Sequence, residues 1–96
     1  MNNDFIFMYD KFLNEFGIES QHHMCIEEMS ELTKAICKFE RFKGTDKESE
    51  ILDNLKEEIA DVLNMVEELE HYYGIEDIEN IRKSKIDRAK SLYFKK

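Results

Sequence analysis

The chain contains no proline, and its three glycines stand at positions 17, 44 and 74. Proline and glycine are the usual punctuation between elements, so these three positions mark the natural breaks. The stretches between them are rich in Glu, Lys, Leu, Ile and Met, residues that lose little rotamer freedom in a helix. An all-α fold is expected, as a four-helix hairpin bundle with two long central helices flanked by an N-terminal and a C-terminal one. At 96 residues the chain is long enough for one domain, spanning 1–96. A domain of that size buries only about 60–65% of its unfolded surface, so association of subunits is an expected way to thicken its core.

Apolar spacing places the helices at about 4–16, 20–43, 46–73 and 76–92. The first carries Phe5, Met8, Tyr9, Phe12, Leu13 and Phe16 as a stripe of core material. Ser20 is positioned to cap the second, whose seam steps through Cys25, Met29, Leu32, Ile36 and Phe39. Thr45 and Glu48 have the form of a capping box opening the third. Its seam alternates threes and fours through Leu52, Leu55, Ile59, Val62, Val66, Leu69 and Tyr73. The fourth presents Ile78, Ile81, Ile86, Ala89 and Tyr93.

The formal charge of −8 is unevenly spread. Residues 1–81 hold 7 basic and 21 acidic side chains, a balance of −14, whereas residues 82–96 hold 7 basic and one acidic, a balance of +6. An acidic body argues against a nucleic-acid polymer as partner, because the phosphate backbone requires a continuous basic surface. No apolar run approaches the roughly 18 residues of a bilayer span, and the opening MNNDFIFMYDKF is acidic where a secretory signal is basic, so no membrane partner and a cytoplasmic location are expected. Cys25 and Cys37, about 18 Å apart along one helix, are too distant for a disulfide and read as free thiols.

The acidic residues beside the seams carry the chemistry. Glu28 and Glu31 each precede a seam residue on the second helix, and Glu58 and Asp61 do so on the third. Within each pair the like charges lie one turn apart, a repulsion that something must compensate. The short turn at Gly44–Thr45 makes the two helices an antiparallel hairpin, and each pair is centred 15 residues from that turn. At 1.5 Å per residue both arrive about 22 Å from the turn, at one level. Four converging carboxylates form an all-oxygen site suited to Mg²⁺, with Mn²⁺ as a substitute, rather than to zinc. The run Glu67, Glu68 and Glu70, in contrast, reads as an ordinary solvated face.

The segment IEEMSELTKAICKFER (26–41), followed by NLKEEIADVLNMVEEL (54–69), resembles the MazG-like all-α nucleoside triphosphate pyrophosphohydrolases, relatives of dimeric dUTPases and phosphoribosyl-ATP pyrophosphohydrolase. The shared pattern is Glu-x-x-Glu on one helix and Glu-x-x-Asp on the next, here Glu28, Glu31, Glu58 and Asp61, with Lys85-x-x-Arg88 further on. The likeness extends from about Gln21 to Arg88. It implies a homodimeric or homotetrameric bundle that cleaves a nucleoside triphosphate between the α and β phosphates, for house-cleaning or nucleotide-pool control. By this likeness the four carboxylates ligate Mg²⁺, and Glu27 matches a carboxylate that activates the attacking water.

Charge balance agrees with that implication, since a polyphosphate cannot approach four carboxylates without a divalent cation between them. Lys38 and Arg41 on the second helix and Lys85 and Arg88 on the fourth are the candidates to take the remaining phosphate charge. Gln21 and Asn64 are candidates to read a base edge. His22 and His23 read as surface residues. A di-iron carboxylate bundle needs two Glu-x-x-His motifs and only Glu68–His71 has that form, so it is set aside. A non-catalytic acidic helical interaction module is the alternative, with the long third seam mediating dimerisation.

Overall fold

The computed structural model describes residues 2–94 and is all-helical there, with α1 at Asn3–Phe42, α2 at Glu48–Tyr73 and α3 at Ile75–Tyr93. Three helices therefore stand where four are expected, because the first two run into one another. The break between them is reduced to Gly17, whose φ of 81° and ψ of 157° lie outside helical space. That conformation is open to glycine and strained for any other residue, and it turns the chain sharply without a loop. Ser20 consequently lies inside α1 rather than at a helix start. The true N-cap is Asn2, whose Oδ1 accepts from the Asp4 and Phe5 amides at 2.8 and 3.1 Å.

The turn between α1 and α2 uses the expected residues in a different arrangement. Glu48 Oε1 accepts from the Gly44 amide at 2.7 Å, one residue earlier than a capping box requires. The Thr45 hydroxyl donates to the Phe42 carbonyl at 2.6 Å and closes the end of α1, so α2 starts two residues later than its spacing predicts. Gly74, at φ 121°, both ends α2 and opens α3.

From Gly17 onward α1 packs along α2 as the antiparallel hairpin, and Cys25, Leu32, Phe39, Leu52, Leu55, Val62 and Leu69 of the expected seams are buried or half-buried, but both helices are turned by about half a residue step from those seams. The inward stripe of α1 is Gln21, Cys25, Glu28, Leu32, Ala35 and Phe39, and that of α2 is Ile51, Leu55, Glu58, Val62, Met65 and Glu68. Met29, Ile36, Ile59, Val66 and Tyr73, expected in the core, are exposed. The N-terminal arm, residues 3–16, reaches the far end of α2. There the buried Tyr9 hydroxyl donates to Glu67 Oε1 at 3.0 Å, and His71 Nε2 lies 2.8 Å from Asp10 Oδ1. Of the arm's other expected core residues Leu13 is half-buried, whereas Phe5, Met8, Phe12 and Phe16 are exposed.

Helix α3 packs on α2 alone, makes no contact with α1 and buries none of its residues. It is not the fourth wall of a closed bundle within the protomer. The resulting shape is open: the radius of gyration is 16.8 Å, against about 12.5 Å for a compact chain of this length. The accessible surface is 7847 Å², roughly 2,000 Å² more than a compact 11.6 kDa monomer exposes. Among the described residues no helix is long and apolar enough to cross a membrane.

Candidate metal centre

Midway along the hairpin, Glu28 of α1 and Glu58 and Asp61 of α2 bring one carboxylate oxygen each to within 4.8 Å of one another. Equal distance from the turn puts them at one level, as their numbering requires. The rotation of the helices then makes the site tighter than a pair of stripe margins would be. Glu28 and Glu58 are themselves seam residues and half-buried, while Asp61 is exposed and leaves the cluster open on one side. Burial pushes the Glu28 carboxyl above its usual range, and the charges of Asp61, Glu58, Glu31 and Glu27 push it the same way.

The donor set fits a hard cation. Oxygens around one Mg²⁺ or Ca²⁺ stand no more than about 4–5 Å apart, and these three groups fall within that span. They are all carboxylates, with no histidine or cysteine to favour zinc. Glu31 is exposed beside the trio and outside it, yet close enough to act on Glu28 through its charge. Glu27, also exposed, flanks the same spot.

The other candidates divide clearly. Lys38, Arg41, Asn64, Lys85 and Arg88 are all exposed. Arg41 lies over the Phe42 ring, 6.0 Å from its centroid. Lys85 and Arg88 border a shallow groove with Asn80, Ile81 and Ser84 on α3 and make no ion pair among the described residues. Because α3 does not touch α1, these two cations are not gathered to Glu28 within one protomer.

Gln21 is not available to a base edge. It is 2% exposed and, with its amide turned so that Nε2 faces Glu68, it donates to both carboxylate oxygens of that residue at 2.8 and 3.0 Å. His22 is engaged too, stacked on Tyr73 with Nε2 2.6 Å from the phenol oxygen, while His23 is exposed.

The residue missed by sequence reasoning is Glu68. Taken for part of a solvated run, it is 1% exposed, the most buried side chain among the described residues. Burial pushes its carboxyl up, partly opposed by His71, and its charge adds to the burial that raises the Cys25 thiol. A signal was present: Gln21 is seven residues before Glu28 and Glu68 seven after Asp61, so the two mirror each other about the same turn. No protein-family model matches this chain, and neither the curated proteins nor the solved structures contain a match.

Proposed function

We propose that this protein is a divalent-cation-dependent nucleoside triphosphate pyrophosphohydrolase, yielding a nucleoside monophosphate and pyrophosphate. The observation that carries the reading is the meeting of Glu28, Glu58 and Asp61 within 4.8 Å across the hairpin. The ordered Glu-x-x-Glu and Glu-x-x-Asp motifs, which resemble the MazG-like enzymes, supply the reaction class. Glu28, Glu58 and Asp61 hold the cation, with Glu31 beside them. When bound, Mg²⁺ supplies charge neutralisation at the phosphates and acidifies water. Glu27 accepts the proton of the water that attacks the α phosphorus, and the bond to the bridging oxygen of the β phosphate breaks. Lys85 and Arg88 receive phosphate charge.

The same reading makes the working form an oligomer in which helices of two subunits complete a four-helix bundle. Three features support it: excess accessible surface, the outward-facing Met29, Ile36, Ile59 and Val66, and an α3 with nothing buried. The excess of roughly 2,000 Å² surpasses the approximately 800 Å² per partner of a standard interface. Those outward apolar residues also favour a second reading, a non-catalytic helical dimerisation module, which needs no cation.

A melting series in EDTA and then in excess Mg²⁺ or Mn²⁺ separates the two. A preformed site is stabilised by its ion, by about 2.7 kcal/mol at a hundredfold excess over Kd. Pyrophosphate release from a panel of nucleoside triphosphates is expected to fall at least about 100-fold in Glu31→Gln or Asp61→Asn. Undiminished activity in both variants, or a melting temperature indifferent to the cation, overturns the enzyme reading.

A further inference from the structure

Each hairpin helix offers two overlapping stripes that could face inward, sharing Cys25, Leu32 and Phe39 on α1 and Leu55 and Val62 on α2. On α2 the more apolar stripe contains Ile59, Val66 and Tyr73, all exposed, yet the protein turns Ile51, Glu58, Met65 and Glu68 toward α1. On α1 it likewise prefers Glu28 and Ala35 to Met29 and Ile36. Within one protomer, burial of apolar area alone favours the opposite choice on both helices. Something specific must therefore select the more polar faces.

The selecting contact lies at the far end of the hairpin from its turn. With its amide turned toward Glu68, Gln21 Nε2 donates there to the carboxylate, 2.8 and 3.0 Å from its two oxygens, between residues 2% and 1% exposed. Rotating either helix toward its alternative stripe, by about half a residue step, would move this pair to the margin of the interface and pull a buried amide or carboxylate off its partner. The same rotation would carry Glu28 or Glu58 to that margin. Seven residues, about 10 Å of helix, separate each member of the pair from a carboxylate of the trio. The trio is thus held between two fixed points, the Gly44 turn and the buried amide–carboxylate pair.

We propose that Gln21 and Glu68 are positioning residues that set the rotation and register of α1 against α2 and thereby assemble the Glu28–Glu58–Asp61 site, an inference that rests on that site binding a divalent cation. Buried polar pairs are best attested in this registry role, where they select one packing at the expense of stability. The pair touches no ligand of the proposed site, so its effect on the cation acts wholly through helix placement.

The test compares wild type with the apolar double variant Gln21→Leu/Glu68→Leu and with Glu68→Gln, which keeps an amide able to bond Gln21. Mn²⁺ affinity is read by electron paramagnetic resonance, thermal melting reports stability, and methyl nuclear Overhauser contacts within one chain report which α2 residues face α1. The double variant is expected to fold with unchanged or higher melting temperature and bind Mn²⁺ about 10–100-fold more weakly, in the range lost with supporting residues around metal sites. Its Ile59 and Val66 methyls should gain contacts to α1 that wild type lacks. Glu68→Gln should retain both the wild-type contacts and the affinity. A double variant with wild-type contacts and wild-type Mn²⁺ affinity overturns the positioning role. Absence of Mn²⁺ binding in wild type, with the methyl contacts still shifting in the double variant, overturns the cation site and leaves the registry role standing.

Discussion

The hairpin and α3 are made of similar material and treat it differently. Both carry isoleucines and tyrosines at helical spacing, but Ile51 lies buried between α1 and α2, whereas Ile81 and Tyr93 on α3 are 54% and 78% exposed. The hairpin obtains its order from two helices that clamp polar groups between them, and it leaves its more apolar stripes outside. Helix α3 has the amphipathic pattern, but the α2 surface it packs on leaves Ile81, Ile86 and Tyr93 exposed. The contrast teaches that apolar periodicity identifies a helix that needs a partner without saying which chain supplies it. Here the inner face of the hairpin gathers the carboxylates, while Met29, Ile36, Ile59 and Val66 on its outer faces and Ile81 and Ile86 on α3 stay exposed.

Substitution at matched residues breaks the comparison most directly. Ile51→Ala empties a packed position between α1 and α2 and is expected to cost about 2–5 kcal/mol, or at least roughly 8 °C in Tm for a domain of this size. Ile81→Ala removes the same atoms from an exposed site and, within the protomer, should fall within about 0.5 kcal/mol. Melting curves over a hundredfold range of protein concentration sharpen the contrast. If α3 is buried between subunits, Ile81→Ala lowers Tm in a concentration-dependent way, while the Ile51→Ala loss persists at every dilution.

The Gly17 kink allows a test in which two physical effects predict opposite signs. In an ordinary helix interior Gly→Ala stabilises by about 1 kcal/mol. At φ 81° and ψ 157° an alanine is strained, and Gly17→Ala is expected to destabilise by about 1–3 kcal/mol. The penalty is purely conformational, because a Cβ there meets nothing within 4 Å. The variant can relieve it only by straightening α1, which swings the arm off α2 and breaks the Tyr9–Glu67 and Asp10–His71 contacts. Loss of the protected Tyr9 environment in tyrosine fluorescence, together with a lower Tm, identifies that route; a stabilised variant refutes the strain.

Much of this architecture is readable from local pattern. The three glycines do mark every change of direction, and equal distance from Gly44 does bring Glu28, Glu58 and Asp61 to one level. What local pattern misses is rotation. Neighbouring stripes such as Ile51–Glu58–Met65 and Leu52–Ile59–Val66 differ by a single residue, and a hydropathy count prefers the second. The choice is made by a hydrogen bond between Gln21 and Glu68, residues 47 positions apart, and no periodicity on either helix encodes it. The helix count fails at Gly17 for a related reason: one unusual backbone conformation does the work for which the spacing suggests a loop and a cap at Ser20.

The smallest expected effect concerns pH, and it too separates the hairpin from α3. Burial raises the Glu68 carboxyl above its ordinary 4.5, so the folded protein holds that proton more tightly than the unfolded chain does. Stability from this group is complete in acid below the unfolded value and is lost as pH climbs through the folded one. Glu68→Gln removes the titration while preserving an amide for Gln21, and should stabilise the protein near neutrality by on the order of 1 kcal/mol. The gain should vanish below about pH 4, where Glu68 is protonated in both states. Glu79 on α3 has the opposite sign, since its hydrogen bonds with Glu70 and Arg82 pull its carboxyl down. Its contribution is present above the unfolded value and lost as pH falls, while Glu70 on α2, raised by the same contact, contributes the reverse, so Glu79→Gln should change the acid limb of the stability curve only slightly. Chemical denaturation of the two variants from pH 3 to 8 checks both signs, and a Glu68→Gln gain that persists undiminished in acid would show that the buried carboxyl is not the titrating group.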